Sequence, residues 1–203
     1  MIRRPALAPP PSLTSTFLTI FVLLGMAGCI PVLWERYYKP EVAEATLQSS
    51  RCGGGPQKVA NFTVDSVQVG YALFPQDDRV SAMMRFVVPE GQTVRLNGTR
   101  IAIRLMGDGG NEGQLREIRQ GWQGFGKGSL STDQAMVGVT KQHSFPTFQE
   151  HAFYVTSIDI SISPPTKVTV TFPGFVVNDR PVGPRDIRYR LDRHIQFMAP
   201  INC

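Results

Sequence analysis

Charge is scarce in this chain. Of 203 residues, 21 are Lys or Arg and 16 are Asp or Glu, 18% in all, against about 25% in an average globular protein. With 42% hydrophobic residues besides, the chain is neither intrinsically disordered nor a coiled coil. Histidine is scarcer still. His143, His151 and His194 are the only three, and none stands at the close spacing of a zinc site. His143 and His151 would lie about 26 Å apart on one extended strand. The Gly-x-Ser-x-Gly elbow of a hydrolase is missing. Gly121–Lys127 has the glycine and lysine spacing of a phosphate-binding loop, but Gly128 stands where the Mg²⁺-binding hydroxyl belongs. Asp77-Asp78 reads as turn chemistry, and no spacing singles out a pair of carboxylates for glycoside hydrolysis. Long apolar runs are confined to the N-terminus, which excludes a polytopic membrane protein. The sequence therefore implies no catalytic residue, no metal and no cofactor.

Glycine and proline are plentiful. There are 19 and 16 of them, roughly a sixth of the chain, which stays below the about 25–30% of low-complexity sequences. Many turn formers mean many short elements, and so an all-β fold. The length suits one domain.

The first 33 residues differ from the rest. Arg3 and Arg4 are the only charges before Glu35. An apolar stretch from Phe17 to Leu24 follows, and then the small residues Gly25, Ala27 and Gly28. A basic start, an apolar middle and small residues at the end describe a secretory signal. Leu24-Gly25-Met26-Ala27-Gly28-Cys29 resembles the lipobox of bacterial lipoproteins. That resemblance covers only the signal, residues 1–28 and Cys29. It implies that Cys29 carries lipid and becomes the first residue of the mature chain, which is thereby anchored in a membrane. It also implies that Ile30, in place of Asp, favours the outer membrane over the inner. Two other readings stand beside it. Leu13 to Leu33 is 21 uncharged residues, long enough for an uncleaved anchor, and an ordinary signal peptide would leave Cys29 without a role.

If Cys29 carries lipid, Cys52 and Cys203 remain, an even pair in an oxidising compartment. A bridge between them would close a loop of about 150 residues, for which the chain-entropy model gives roughly 5 kcal/mol as an upper value. The alternative is two unrelated thiols.

Residues 29–58 read as the lipidated Cys and a tether. Trp34, Tyr37 and Tyr38 in it suit either a membrane interface or docking on the domain, and Glu41 to Ser50 has the length of a short helix. Residues 59–203 read as one β domain. Val67, Val69, Tyr71 and Leu73 alternate, as do Val80, Ala82, Met84, Phe86 and Val88, and Ile101, Ile103 and Leu105. Phe62 and Val64 fall out of phase with Val67, as a turn or bulge between them would make them. Asn97-Gly98 predicts a tight hairpin. Val168, Val170 and Phe172 form a further stripe, and Phe175–Val177 ends at Asn178-Asp179. Ile187, Tyr189, Leu191, Ile195 and Phe197 form the last, as one long strand or a hairpin at Asp192-Arg193. The count is eight to ten short antiparallel strands, the pattern of an Ig-like or transthyretin-like β-sandwich.

The stretch Gly107–Gly128 breaks this pattern, with eight glycines in 22 residues. It reads as a long loop, with one short helix possible because Leu115, Ile118 and Trp122 have helical spacing. Long loops in compact domains are often functional, which makes Trp122 and Phe125 candidate contacts. The other candidate surface is basic. Without the signal the chain has 19 basic and 16 acidic residues, and 14 of the 19 are arginine. Arg185, Arg188, Arg190 and Arg193 cluster, and strand alternation puts Arg188 and Arg190 on one face. Arg100 and Arg104 share another. Arginine forks suit carboxylates and phosphates, though such rows also protect strand edges.

The function expected is a lipid-anchored envelope protein facing the periplasm, whose sandwich binds another envelope protein or an anionic envelope component without catalysis. Nucleic acid is not an expected partner. The alternatives are an inhibitor or immunity lipoprotein that neutralises a periplasmic enzyme, and a hydrolase with a dispersed site.

Overall fold

The computed structural model describes residues 32–49, 56–105, 110–115, 117–122, 125–144 and 147–197. Trp34–His194 forms one compact unit. Among the described residues there are seventeen strands and no helix. In chain order they are β1 (Val32–Glu41), β2 (Thr46–Ser49), β3 (Gln57–Val64), β4 (Val67–Pro75), β5 (Val80–Val88) and β6 (Thr93–Leu96). There follow β7 (Arg100–Leu105), β8 (Gly110–Gln114), β9 (Glu117–Trp122), β10 (Phe125–Ser131), β11 (Met136–Val137) and β12 (Thr140–Ser144). The last are β13 (Thr147–Ile160), β14 (Lys167–Phe172), β15 (Phe175–Val177), β16 (Arg180–Val182) and β17 (Arg185–Phe197).

The strands form a β-sandwich of antiparallel sheets. One sheet has five strands in the order β1-β17-β14-β7-β8. A second has the order β10-β9-β13-β5-β4-β3-β2, with β12 paired to β13. A third, of four strands, runs β11-β6-β15-β16. Period-two burial defines the faces. In β5, Val80, Ala82, Met84, Phe86 and Val88 are buried while the residues between them are partly exposed. In β14, Val168, Val170 and Phe172 are buried and Lys167 is exposed. The sheets meet through these inward side chains. Tyr71 of the large sheet packs against Phe172 of the five-stranded sheet with ring centroids 4.9 Å apart. Phe86 meets Phe175 of the small sheet edge to face at 5.3 Å. Each fully buried apolar side chain of this size stabilises the fold by about 1.5–3 kcal/mol.

Two tight turns are made by residues that tolerate positive φ. Asp65 (46°) and Ser66 (73°) join β3 to β4, and Asn178 (46°) and Asp179 (67°) join β15 to β16. Both are two-residue turns with positive φ at each central residue, whose twist suits a hairpin. The first explains why Phe62 and Val64 fall out of phase with Val67.

Other expectations are corrected. Asn97-Gly98 is not a hairpin. Neither residue has positive φ, and the chain there leaves the small sheet after β6 and enters the five-stranded sheet as β7. The Asn97 N–H donates to the Gly174 carbonyl at 2.9 Å instead. The Gly-rich stretch is largely strand rather than a loop with a short helix. It supplies β8, β9 and β10, and Ile118 is buried between exposed Glu117 and Arg119, with a period of two. Glycine hid this because it has no side chain to alternate. Gly113 is also closely packed, since a Cβ there would lie 2.4 Å from Ile158 Cδ1 and that methyl would have to shift. The strands outnumber the expected eight to ten because short strands such as β11, β15 and β16 build a third sheet. The stretch read as a tether with a possible helix contributes β1 and β2, and Tyr38 is fully buried. The C-terminal stripe is one strand, β17, with no hairpin at Asp192-Arg193.

Candidate binding interface

The outer face of the five-stranded sheet is where the basic residues converge. On β17, Ile187 and Tyr189 point into the core, so Asp186, Arg188, Arg190 and Asp192 point away from it. On β14 the outward residues are Lys167, Thr169 and Thr171, and on β7 they are Arg100, Ala102 and Arg104. The register joins these rows. Thr169 lies opposite Arg188 on one side and Arg104 on the other. Lys167 lies opposite Arg190. Arg104 and Arg188, 84 positions apart in sequence, therefore flank one threonine.

Arg104 does not point at Arg188. Its Nη2 reaches along the face to Thr171 Oγ1 at 2.6 Å and to both carboxylate oxygens of Asp186 at 3.1 and 3.2 Å. Thr171 Oγ1 in turn donates to Asp186 Oδ1 at 2.6 Å. Arg100 Nε lies 3.3 Å from Glu112 Oε2 on β8. Arg190 stands 3.7 Å from Glu41 and 3.8 Å from Asp192. Asp192 also accepts from the Tyr37 hydroxyl at 3.5 Å. Burial, and then the charge of Asp192, push that phenol above its usual pKa. These are exposed pairs, each contributing about 0–1 kcal/mol. Among the described residues, Arg188 and Lys167 make no ion pair. Lys167 and Arg188 thus form a cationic corner with Arg190, which lies directly opposite Lys167 and shares its charge with Glu41 and Asp192.

The arginine cluster seen in the sequence divides. Arg188 and Arg190 share this face as alternation requires. Arg185 has the inward phase, and its Cζ lies 3.9 Å from the centroid of the Phe62 ring on β3. Nothing in the sequence singles out Lys167 or Asp186. The exposed phase of Lys167 is legible beside Val168, but its neighbour on β17 is not. Trp122 and Phe125 end β9 and begin β10 and lie opposite each other in the register, while their side chains lie outside the described residues. So do Cys29, Cys52 and Cys203. His151 Nδ1 lies 2.9 Å from Thr140 Oγ1 across the β12–β13 pair. Among the described residues no three His, Cys, Asp or Glu side chains gather as a metal site.

No protein-family model matches this chain, and no curated protein is significantly similar to it.

Proposed function

We propose that this protein is a lipid-anchored component of a bacterial cell envelope, facing the periplasm, whose β-sandwich binds another envelope component without catalysing a reaction. The observation that carries the binding reading is the cationic corner of Lys167, Arg188 and Arg190. The fold holds these charges side by side, and the fork of Arg188, which makes no ion pair among the described residues, suits a carboxylate or phosphate surface. An acidic face of a protein partner is the favoured occupant, and anionic headgroups present the same chemistry.

Two features support the anchoring. The segment ending at Cys29 resembles a lipobox, and Ile30 favours the outer membrane on the same resemblance. Strand β1 begins at Val32, three residues beyond Cys29, a span of at most about 10 Å. A lipid on Cys29 would hold β1 close to the bilayer. Trp34, 69% exposed on β1, is of the residue type that favours the headgroup region.

Metabolic labelling with an alkyne fatty acid tests the anchor. Label is expected on the intact chain and is expected to vanish in Cys29→Ser, which should also leave the membrane fraction. Labelling retained in Cys29→Ser would overturn the anchor. A photocrosslinker at position 188 tests the face. Crosslinks to one predominant envelope component, weakened by salt and by Lys167→Glu, are expected. Crosslinking unaffected by either would overturn the use of this face.

A further inference from the structure

The outer face of the large sheet carries a second constellation, independent of the anchor and of the cationic corner. The register places Asn61 of β3, Gly70 of β4 and Arg85 of β5 in one row across it. Because Gly70 has no side chain, the row has a gap. A cleft of about 90 Å³ opens there, walled by Gln48, Asn61, Gln68, Arg85 and Val87. A Cβ at Gly70 would lie 2.8 Å from Asn61 Oδ1 and 3.0 Å from Val59 Cγ1. Asn61 is held in place by its Nδ2, which donates to Gln48 Oε1 at 3.0 Å.

Arg85 is the unusual member. Its Cζ lies 4.8 Å from the centroid of the Phe153 ring, and its Nε is buried with no hydrogen-bond partner. Among the described residues it makes no ion pair. Burial lowers its pKa, as expected of a cation drawn out of water without a counter-charge.

A larger cleft of about 700 Å³ shares Gln48, Asn61 and Gln68 with the first, and its volume falls within the about 300–1,000 Å³ of small-molecule sites. Thr46 and Thr63 also line it on this face, and Arg185, which has the inward phase, lines it beside the Phe62 ring. Each cleft therefore has one guanidinium braced on a phenyl ring. Three carboxamides stand on the shared wall, and each can both donate and accept. A bare anion would use an arginine alone. Paired donors and acceptors beside an arginine match a ligand that carries hydroxyl groups along with its negative charge. The single acid among the lining residues, Glu44, is exposed.

We propose that this double cleft binds an acidic saccharide, with its anionic group on Arg85 and its hydroxyls on Gln48, Asn61 and Gln68.

The test uses the full chain purified in detergent, titrated with trigalacturonic acid, with the neutral trisaccharide maltotriose and with inorganic phosphate, and followed by NMR. Saturable binding of trigalacturonate is expected, shifting the Arg85 Nε–H and the side-chain amides of Gln48, Asn61 and Gln68. Maltotriose and phosphate should each bind at least tenfold more weakly. Arg85→Gln and Gly70→Ala, the second filling the small cleft, should each weaken trigalacturonate at least tenfold. Glu44→Gln, at an exposed position, should tighten it about twofold. No saturable binding of trigalacturonate would overturn the proposal. So would phosphate binding as tightly as the saccharide, or Arg85→Gln binding it as the native chain does. If Gly70→Ala fails to fold, unchanged or weaker binding by Glu44→Gln overturns it as well.

Discussion

Tyr38, on the first strand, meets Tyr189, on the last, edge to face with ring centroids 6.3 Å apart. The two hydroxyls have opposite fates. Tyr38 donates to the Pro165 carbonyl at 2.8 Å, while the buried Tyr189 hydroxyl has no partner. An unpaired buried polar group costs about 1–3 kcal/mol, and a paired one contributes about 0.5–1.5. Tyr189→Phe is therefore expected to leave stability unchanged or raise it by about 1 kcal/mol. Tyr38→Phe should lower it by about 1 kcal/mol, roughly 2–4 °C in Tm for a domain of this size. Thermal melts of the two variants side by side check this, and the reverse order would contradict the assignment of the two hydroxyls.

All five tyrosines of the chain are pushed above the usual phenol pKa, and burial is the largest cause in each case. Tyr71 is pushed up to about 12, with Arg185 pulling in the other direction. The folded protein keeps these protons at a pH where the unfolded chain, with phenols near 10, has begun to release them. The tyrosines thus leave stability unchanged below about pH 10 and lower it as pH rises from there through the folded values. The ultraviolet absorbance of phenolate should stay low at pH 10, where half the tyrosines of an unfolded chain would be ionised, and then rise together with loss of the near-ultraviolet circular dichroism. A simple titration with midpoint 10 in the folded protein would refute it.

Glu35 on β1 and Lys58 on β3 form an ion pair that joins the five-stranded sheet to the large one, and Lys58 is the more buried partner, its side chain 8% exposed against 32%. Removing one partner of a fully buried pair costs about 3–5 kcal/mol, because the other charge is left without compensation. Contact of Glu35 with water reduces this, so Glu35→Ala is expected to cost about 2 kcal/mol in urea unfolding. The double substitution Glu35→Leu with Lys58→Met should recover most of the loss, since apolar replacements of similar volume are often neutral. A double variant as unstable as the single one would mean that the pair itself is needed.

Lys167 faces Arg190 across the β14–β17 pair. Lys167→Glu turns a repulsive cross-strand pair into an attractive one and should stabilise the domain by about 0.5 kcal/mol at low salt. The gain should shrink in 1 M salt, where screening acts within about 3 Å. Arg188→Ser, at an exposed position, should change stability by less than about 0.5 kcal/mol. Chemical denaturation at two salt concentrations measures both. A large loss of stability in either variant would mean that these cations hold the sheet together.

The strands β4, β5, β7 and β14 are legible in the sequence because each carries an uninterrupted alternation of apolar and polar residues, and one buried face demands that pattern. The turn after Val64 is legible too, as a change of phase. β8 and β10 are not, because glycine leaves alternation without a marker. β6 and β7 are each readable, but their partition between two sheets is not. Asn97-Gly98 between them has the composition of a hairpin, and only the contact of Asn97 with Gly174 shows that the chain turns elsewhere.

The same division holds for the candidate sites. Sequence alone determined the all-β class, the phase of most strands and hence the outward direction of Arg188 and Arg190. Each of these depends on a period of two within one segment. Only the tertiary structure decided which strands are neighbours. That choice brings Arg104 and Arg188 to the two sides of Thr169 and sets Asn61, Gly70 and Arg85 in one row. Pairing of distant strands is settled by burial and hydrogen bonding of the whole sheet, and no local pattern encodes it. The scarcity of charge gains its meaning there, because a few arginines become a surface only when separate strands are laid side by side.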